Sequence, residues 1–386
     1  MKRVFISTLL LVFCSLIIVR IVRIFSIKSN NTHNNVKIDK KGDSFLKPLH
    51  RPYQDVIVNN RVIVKGHGPN CNSRYEAIKN ILRKFKRPIT VLDIGAAAGY
   101  MTFRVANDFE STCVMISDPA GESISLKKLC ELNTYLDNIV LLNKRVSADE
   151  LILMSKCEHF DVVLALNVVH HFPPHEWKKA AQAILQLGDF VIIETPPIED
   201  TITKGQIFLR DIIDFIENHE HKVIAKTKRH TNPNLFANMY FVKGTKKRLD
   251  KRSWFGPTTP GYEIVSNLND RFLMKLNDDN KGLKLPFPKG INLMTFKRLN
   301  GTFPTKQVIK DSLAKLLDQS NKLLLPQNII IQGNSVELID EITSVKNYDS
   351  AEIIKYVNGV IDSNELDSIF YICKLLSDKV LRVPEA

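Results

Sequence analysis

The stretch VLDIGAAAGY at residues 91–100 decides the fold predicted for this chain. Its apolar beginning is typical of a buried parallel strand, which ends near Asp93. Gly95 and Gly99 bracket a tight turn, and a helix is predicted to follow from about Tyr100 to Phe109. Glycines allow a ligand to approach the backbone, and the N–H groups at the start of the helix face the same place. The stretch therefore indicates a site for a nucleotide-type cofactor.

The elements after this stretch alternate regularly between strand and helix. Strands are predicted at Thr90 to Ile94, Cys113 to Ser117, Ile139 to Leu142, Phe160 to Asn167, Phe190 to Glu194, Val223 to Thr227 and Asn238 to Val242. Such alternation implies a parallel sheet with helices on both faces. The last two strands have no predicted helix between them, which indicates one antiparallel strand. This order argues against an ordinary strand–turn–helix corner that happens to contain glycines.

The glycine motif and the order of the elements resemble those of a known family. Asp93, Gly95 and Gly99 form the pattern D-x-G-x-x-x-G, which resembles motif I of the class I S-adenosylmethionine (SAM) dependent methyltransferases. The G-x-G-x-x-G pattern of dinucleotide-binding loops is a weaker match. The resemblance covers about residues 71–245. It implies an α/β fold with a seven-stranded, mostly parallel, doubly wound (Rossmann-like) sheet, one antiparallel strand, and SAM as the cofactor.

The resemblance also implies which residues bind the cofactor, because open α/β sheets bind ligands at the carboxyl ends of their strands. The predicted cofactor residues are Asp93, Gly95, Ala96, Ala97, Gly99, Tyr100, Asp118, Ser147, Ala148 and Asn167. Asp118 ends the second strand and is placed to accept the ribose hydroxyls. Ser147 stands where the family commonly has an aspartate beside the adenine, and Asn167 is expected near the methionine part of SAM. Each polar strand end also fits a simple turn or cap.

The candidate catalytic residues follow the fourth and fifth strands of the predicted sheet. His170 or His171 is a candidate general base, because the unperturbed pKa of histidine lies near neutrality. Alternatively, one of the two rings packs against the Pro173-Pro174 turn. Glu194 is predicted to line the acceptor pocket, although the pattern fits a solvated loop carboxylate as well. No metal site is predicted.

The chain is predicted to have four segments. These are an N-terminal membrane anchor at 1–28, a linker at 29–70, the methyltransferase domain at 71–245 and a C-terminal α+β accessory domain at 246–386. The run Val4 to Val19 carries no charge, so an uncleaved single-pass transmembrane helix is expected, with an interfacial or a buried core helix as alternatives. Since SAM is made in the cytoplasm, the catalytic domain is expected on that side of the membrane.

The charge and cysteine content of the chain are compatible with several classes of binding partner. The net charge of +13 fits nucleic acid, an anionic membrane surface or an acidic substrate, and equally a lysine-rich solvated surface. Nucleic acid is not favoured, because there is neither an RNA-binding signature nor a dense arginine run. The six cysteines form no C-x-x-C pair, which indicates reduced thiols and neither a zinc site nor a disulfide framework.

The C-terminal region carries a second, much weaker resemblance. Residues 325–340 (LPQNIIIQGNSVELID) resemble the hairpin of kinase-fold phosphotransferases in which an Asn and an Asp hold Mg²⁺ with ATP. Leu323 and Leu324 stand where that family has its H-x-D catalytic base, and no glycine-rich loop precedes them. A plain β-hairpin around Gly333-Asn334 is therefore the prediction.

The sequence as a whole predicts a membrane-tethered, SAM-dependent methyltransferase. A small molecule, a lipid or a lipid-linked glycan is the expected methyl acceptor, the last two because the anchor would bring the enzyme to a membrane. An RNA methyltransferase and a non-catalytic scaffold that keeps the SAM fold are the alternatives. Either would share the glycine motif, and the pattern at residues 91–100 alone does not distinguish them.

Overall fold

The computed structural model describes residues 52–68, 70–118, 125–201, 206–246, 262–267, 271–276, 279–286, 289–319 and 329–338. The described part opens with a short antiparallel hairpin of β1 (Val56–Val58) and β2 (Arg61–Val64). Its turn is formed by Asn59 and Asn60, which both have positive φ, at 50° and 58°. Two left-handed residues are what a tight two-residue hairpin turn requires, and asparagine tolerates that conformation.

A seven-stranded sheet forms the centre of the molecule. Its strands in chain order are β3 (Ile89–Ile94), β4 (Ser111–Ser117), β5 (Ile139–Asn143), β6 (Phe160–Leu166), β7 (Gly188–Thr195), β8 (His221–Lys228) and β9 (Phe236–Lys243). They lie in the spatial order β5-β4-β3-β6-β7-β9-β8. All neighbours are parallel except that β9 is antiparallel to both β7 and β8. This confirms the predicted seven-stranded, mostly parallel α/β sheet with one antiparallel strand.

The strand order reverses next to β3. The chain moves from β3 outward through β4 to β5, then returns to the other side of β3 to form β6 and β7. Open α/β sheets bind ligands in the crevice at such a switch point, outside the carboxyl ends of the strands. We call this side of the sheet the carboxyl edge. The site residues predicted from the sequence lie at or after the carboxyl ends of these strands; Asp93 and Glu194 are within the last two residues of β3 and β7.

Helices cover both faces of this sheet. They are α1 (Cys71–Leu82), α2 (Tyr100–Asp108), α3 (Leu126–Leu132), α4 (Ala148–Cys157), α5 (Trp177–Leu187) and α6 (Leu209–Glu217). Successive residues of a strand point to opposite faces, so Val91 packs in the core under α1 and α2, whereas Leu92 packs in the core under α4, α5 and α6. Burial on both faces explains why the central strands are continuously apolar.

The C-terminal region adds strands and helices in a mixed arrangement. Its elements are β10 (Tyr262–Asn267), β11 (Arg271–Leu276), β12 (Asp279–Pro286), β13 (Ile291–Asn292), α7 (Leu293–Asn300), α8 (Gln307–Gln319), β14 (Ile329–Gln332) and β15 (Ser335–Leu338). The strands form two antiparallel three-stranded sheets, β10-β11-β12 and β13-β14-β15. The hairpin β14–β15 turns at Gly333-Asn334, as predicted. Asn328 and Asp340, the residues of the kinase-like pattern, lie outside the described residues.

The second of these sheets packs directly on the methyltransferase-like core. Ile291, Leu293 and Ile331 belong to the same buried apolar cluster as α4 and α5. Glu158, at the end of α4, accepts hydrogen bonds from the backbone and side-chain nitrogens of Asn292, at 3.2 and 2.5 Å. The core under α4 therefore includes residues from both parts of the chain.

The structure corrects the prediction of a single-pass membrane protein. Within the ranges that the structure describes, no helix combines the length and the apolar character needed to cross a lipid bilayer. The run Val4 to Val19, on which the prediction of an anchor rested, lies outside those ranges. The predicted membrane localisation is therefore wrong for the part of the chain that the structure describes.

Candidate active site

The turn between β3 and α2 is made by backbone conformation. Gly95, Ala97 and Gly99 all have positive φ, at 73°, 52° and 75°. A Cβ atom on Gly95 would lie 2.9 Å from Cγ2 of Val168, and one on Gly99 would lie 2.8 Å from the ring of Phe103. Both glycines are thus required by conformation and by space. The turn brings the backbone of residues 95–99 and the start of α2 together at the centre of the carboxyl edge.

Asp93 supports this turn from inside the protein. Its side chain is buried, and its carboxylate accepts a hydrogen bond from Oγ1 of Thr102 at 2.7 Å. Burial raises the pKa of Asp93 to about 6, although the hydrogen bond from Thr102 and the charge of Arg74 act in the opposite direction. The carboxylate therefore ties the end of β3 to the first turn of α2.

A residue that the sequence did not reveal reaches the same place. Gln54 precedes the β1–β2 hairpin, is buried, and its Oε1 accepts a hydrogen bond from the backbone N–H of Tyr100 at 3.1 Å. That N–H is one of the donors at the helix start that have no partner within the helix. The hydrogen bond joins residues 46 positions apart, and no local pattern around Gln54 indicated it.

The polar residues after β4 and β5 differ in whether their side chains are already used in internal hydrogen bonds. Asp118 directly follows β4, is partly exposed, and lies beside the glycine turn because β4 pairs in parallel with β3. Ser147 is the N-cap of α4: its Oγ accepts from the backbone N–H of Glu150 at 3.2 Å, and the Glu150 carboxylate accepts from the backbone N–H of Ser147 at 2.9 Å. This capping box accounts for Ser147 as a cap, whereas Ala148 is buried behind it.

Asn167, at the end of β6, is held in a left-handed conformation with φ of 56°. Its backbone N–H donates to the carbonyl oxygen of Glu194 at 2.8 Å, and its Nδ2 donates to Oε2 of the same residue at 2.8 Å. Its Oδ1 accepts from Nη1 of Arg229 at 3.1 Å. The side-chain amide thus points at internal partners, so the contact that Asn167 can offer to a cofactor is made by its backbone.

Glu194, the carboxylate predicted to line the acceptor pocket, is buried near the end of β7. It is 1% exposed, forms an ion pair with the buried Arg74 of α1, and accepts a hydrogen bond from the hydroxyl of Thr227. Together with the bond from Asn167, these partners occupy both carboxylate oxygens. Because a buried carboxylate needs partners of this kind, the structure gives Glu194 an internal role at the carboxyl edge instead of a position facing an acceptor.

A second buried ion pair lies beside the first. Nε of Arg229 donates to Oδ2 of Asp200 at 2.9 Å, and the hydroxyl of Thr231 donates to the same oxygen at 2.8 Å. Arg229 also reaches Asn167, so the two ion pairs are linked through the Asn167 amide. We call this set the buried network; it consists of Arg74, Asn167, Glu194, Asp200, Thr227, Arg229 and Thr231. The apolar spacing of α1 is a signal that could have identified Arg74 as a charge on a buried face, whereas no local pattern identifies Arg229.

The two candidate histidines lie in a short 3₁₀ helix, Val169–His171, directly after Asn167. Their ring centroids are 4.2 Å apart, yet His170 is 5% exposed and His171 is exposed. Burial, with smaller effects from His171 and Arg229, lowers the pKa of His170 to about 3. Nδ1 of His170 has no hydrogen-bond partner among the described residues. His170 is therefore neutral at physiological pH, and the two rings are suited to different roles.

One side of the crevice is closed by aromatic contacts between two segments. Tyr53 and His67, from the segment around the β1–β2 hairpin, meet His230 in the loop between β8 and β9. The ring centroids are 5.8 Å apart for Tyr53 and His67, 5.2 Å for Tyr53 and His230, and 5.7 Å for the two histidines. Side chains from before residue 71, the predicted start of the methyltransferase domain, therefore pack against the loop at the carboxyl edge.

The candidate site residues form two sets along the carboxyl edge. The glycine turn, Asp93 and Asp118 lie on the β3–β4 side, whereas Asn167, Glu194 and the two histidines lie on the β6–β7 side. Within the described ranges, no group of three or more His, Cys, Asp or Glu side chains is arranged to hold a metal ion.

Comparison with known proteins gives matches among solved structures alone. No protein-family model matches the chain, and no curated protein matches it. A structure of the bifunctional kinase-methyltransferase WbdD is similar with 16% sequence identity and a TM-score of 0.45, over 89% of this chain and 96% of that one. The N-terminal domain of EvdMO1, determined in the presence of SAH and D-fucose, is similar with 12% identity and a TM-score of 0.39, over 53% of this chain and 94% of that one.

Proposed function

We propose that this chain is a SAM-dependent methyltransferase that transfers a methyl group to a small-molecule acceptor. One observation carries the proposal: the left-handed turn at residues 95–99 lies at the switch point of the sheet, with Asp118 at the end of the neighbouring strand. A close backbone surface beside a carboxylate suits an adenosyl ligand, because the carboxylate can accept both ribose hydroxyls. The two features come from separate elements and meet at one place.

The residues of the chain fit the parts of such a cofactor. Asp118 would hold the ribose, the turn at Gly95 and Gly99 would allow close approach of the backbone, and the backbone of Asn167 would lie beside the methionine part. SAM, when bound there, supplies an electrophilic methyl group on a positively charged sulfur. Methyl transfer then requires alignment of the acceptor with the methyl carbon and the exclusion of water.

The protein's chemical contribution to the step is the handling of one proton. SAM bound at this edge would supply the methyl group, and a group of the protein would take the proton that the acceptor loses. Because burial keeps His170 neutral, with its pKa at about 3, it is a weak proton acceptor. We assign the general base to His171, whose exposed ring lies 4.2 Å from that of His170, and assign His170 to orienting the acceptor.

A small molecule is the acceptor class that these residues support. The expectation of a lipid or lipid-linked glycan acceptor rested on the run Val4 to Val19, which lies outside the described residues. Tyr53 and His230, whose ring centroids are 5.2 Å apart, lie at the same edge of the sheet, where His230 follows β8. The two rings provide apolar contact area, and the tyrosine hydroxyl and histidine nitrogens provide hydrogen-bonding atoms. This combination suits a compact polar acceptor.

Calorimetric titration of the full chain with SAM and with S-adenosylhomocysteine (SAH) tests this proposal. We expect micromolar binding, weakened at least about ten-fold by Asp118→Ala, since a charged hydrogen-bond acceptor would be lost. Asp137→Ala is the matched control, because Asp137 is an exposed aspartate that precedes β5 at the opposite edge of the sheet. A folded protein that binds neither compound would refute the proposal, as would equal weakening by the two substitutions.

A further inference from the structure

The turn at Asn167 connects the two halves of the candidate site. The residue after it, Val168, lies against Gly95 of the glycine turn, since a Cβ on Gly95 would come within 2.9 Å of its side chain. The next residues form the 3₁₀ helix that carries His170 and His171. A displacement of Asn167 would therefore move the histidines relative to the glycine turn.

The conformation of Asn167 depends on residues far away in the sequence. Its left-handed backbone, with φ of 56°, is uncommon for a residue other than glycine. Glu194, 27 positions away, receives the Nδ2 hydrogen bond, and Arg229, 62 positions away, donates to Oδ1. The amide of Asn167 is thereby hydrogen-bonded at both its nitrogen and its oxygen to residues of other elements.

Arg229 is the member of the buried network suited to hold this arrangement. Its guanidinium uses Nε for Asp200, at 2.9 Å, and Nη1 for Asn167, at 3.1 Å. The planar fork of arginine presents both donors in a fixed geometry, which the single ammonium of lysine cannot reproduce. Asp200, itself buried and bonded to Thr231, fixes the position of the fork.

We propose that Arg229 is a positioning residue, which acts through Asn167 to place the backbone turn that faces the cofactor and the histidines behind it. This inference rests on the proposed function, because it takes the carboxyl edge as the cofactor site. Arg229 itself is buried behind the turn and is assigned no contact with a substrate. Its effect on cofactor affinity is predicted to pass through the conformation of Asn167 alone.

A double-mutant cycle on SAH affinity tests the proposal in the full chain. Arg229→Lys keeps a positive charge beside Asp200 but cannot make both hydrogen bonds, so we expect SAH binding to weaken about ten-fold. Asn167→Gly keeps the left-handed turn without the amide. If Arg229 acts through that amide, Arg229→Lys should weaken binding less than about two-fold in the Asn167→Gly background, because coupled residues are non-additive.

The control is a second arginine–carboxylate pair in the same sheet. Arg87 donates from Nη1 and Nη2 to the buried Asp161 at 3.1 and 2.5 Å, away from the carboxyl edge, where Asp161 lies near the start of β6. Arg87→Lys should lower the melting temperature but leave SAH affinity unchanged. A purely structural role for Arg229 would instead make the two lysine variants alike in affinity.

Each outcome decides one question. The proposal is overturned if Arg229→Lys weakens binding equally in both backgrounds, or if it leaves affinity at the level of Arg87→Lys. Where Arg229→Lys fails to fold, the pair Arg229→Gln and Asp200→Asn removes both charges together and leaves none unpaired, and the same cycle is run with it. If the unaltered chain fails to bind SAH at all, the proposed function fails before the cycle begins.

Discussion

Two turns meet at the carboxyl edge of the sheet, and they are built in different ways. The turn at residues 95–99 owes its shape to backbone: three of its five residues have positive φ, and two of those are glycines. The turn at Asn167 has one such residue, held by side chains from β7 and from the loop after β8. The first turn depends on glycines, which have no Cβ atom to clash with neighbouring side chains. The second turn depends on hydrogen bonds from side chains that are distant in the sequence.

The difference has an energetic consequence. A turn made with glycines costs backbone entropy, and the buried charge that supports it is the single carboxylate of Asp93. The turn at Asn167 is held by two arginines and two carboxylates that are almost fully removed from water, and such charges are tolerated only while each keeps its partner. We therefore expect single substitutions in the buried network to destabilise the protein more than substitutions in the glycine turn.

The largest expected effect comes from breaking the ion pair of Arg74 with Glu194. Arg74→Met leaves a buried carboxylate without its charge partner, which should cost about 3–5 kcal/mol of unfolding free energy in urea titrations at neutral pH. Adding Glu194→Leu to this variant should restore much of the loss, because no buried charge then remains unpaired.

Lys65→Met is the control for that prediction. Lys65 pairs with Asp55 at 3.0 Å, but its side chain is 71% exposed. Exposed pairs contribute little, so this change should cost less than about 1 kcal/mol. Equal losses for Arg74→Met and Lys65→Met would show that the buried Arg74–Glu194 pair matters no more to stability than an exposed pair.

The second prediction concerns the glycine turn. Gly95 and Gly301 have the same φ of 73°, but a Cβ on Gly95 would meet Val168, whereas one on Gly301 would meet nothing within 4 Å. Alanine at either position is destabilised by the left-handed conformation, and at position 95 its Cβ also clashes with Val168. We expect losses of about 2–3 kcal/mol for Gly95→Ala and about 1 kcal/mol for Gly301→Ala in thermal or urea unfolding. Similar losses would mean that the close approach of Val168 is unimportant.

The third prediction is a pH dependence that belongs to Asp93. Its pKa in the folded protein is about 6, above the ordinary value of 3.8, so the folded state binds the proton more tightly than the unfolded state. Its contribution to unfolding free energy therefore falls as pH rises from about 4 to 6 and stays constant above that range. Asp93→Asn removes this dependence, so between pH 4 and 7 the variant should gain on the order of 2 kcal/mol relative to the unaltered protein. A pH-independent difference would contradict the raised pKa.

The smallest expected effect is at Ser147. Loss of its cap on α4 should cost about 1 kcal/mol in the variant Ser147→Ala. SAH affinity should remain unchanged, because both the hydroxyl and the backbone N–H of Ser147 are engaged with Glu150. Weaker SAH binding by this variant would instead support the adenine contact that the family resemblance implied.

The parts of the molecule that could be predicted from sequence are those marked by patterns among neighbouring residues. The glycine turn, the alternation of strands and helices, and the hairpin at Gly333-Asn334 each depend on residues within a few positions of one another. The helix-capping role of Ser147 could also be predicted from nearby residues, since a glutamate three residues later is the signature of a capping box. The strand-end position favoured a ligand contact there, whereas the structure gives the serine a helix cap.

The buried network could not be predicted in the same way. Glu194 lies at the end of a predicted strand, where a carboxylate could face an acceptor. Its burial depends on its ion pair with Arg74, which lies on a helix 120 residues earlier in the chain. Arg229 and Asp200 likewise carry no pattern that marks them as partners. Their pairing depends on β8 and β9 joining β7 in the sheet, a long-range arrangement that local spacing does not specify.

The most direct test of the proposed site is a crystal structure of the full chain with SAH. We predict SAH at the carboxyl edge, with its ribose hydroxyls on the carboxylate of Asp118 and its sulfur between the glycine turn and the backbone of Asn167. Asn167 should keep its left-handed conformation and its bonds to Glu194 and Arg229. SAH bound at another place, or at this edge with Asn167 released from Arg229, would contradict the proposal.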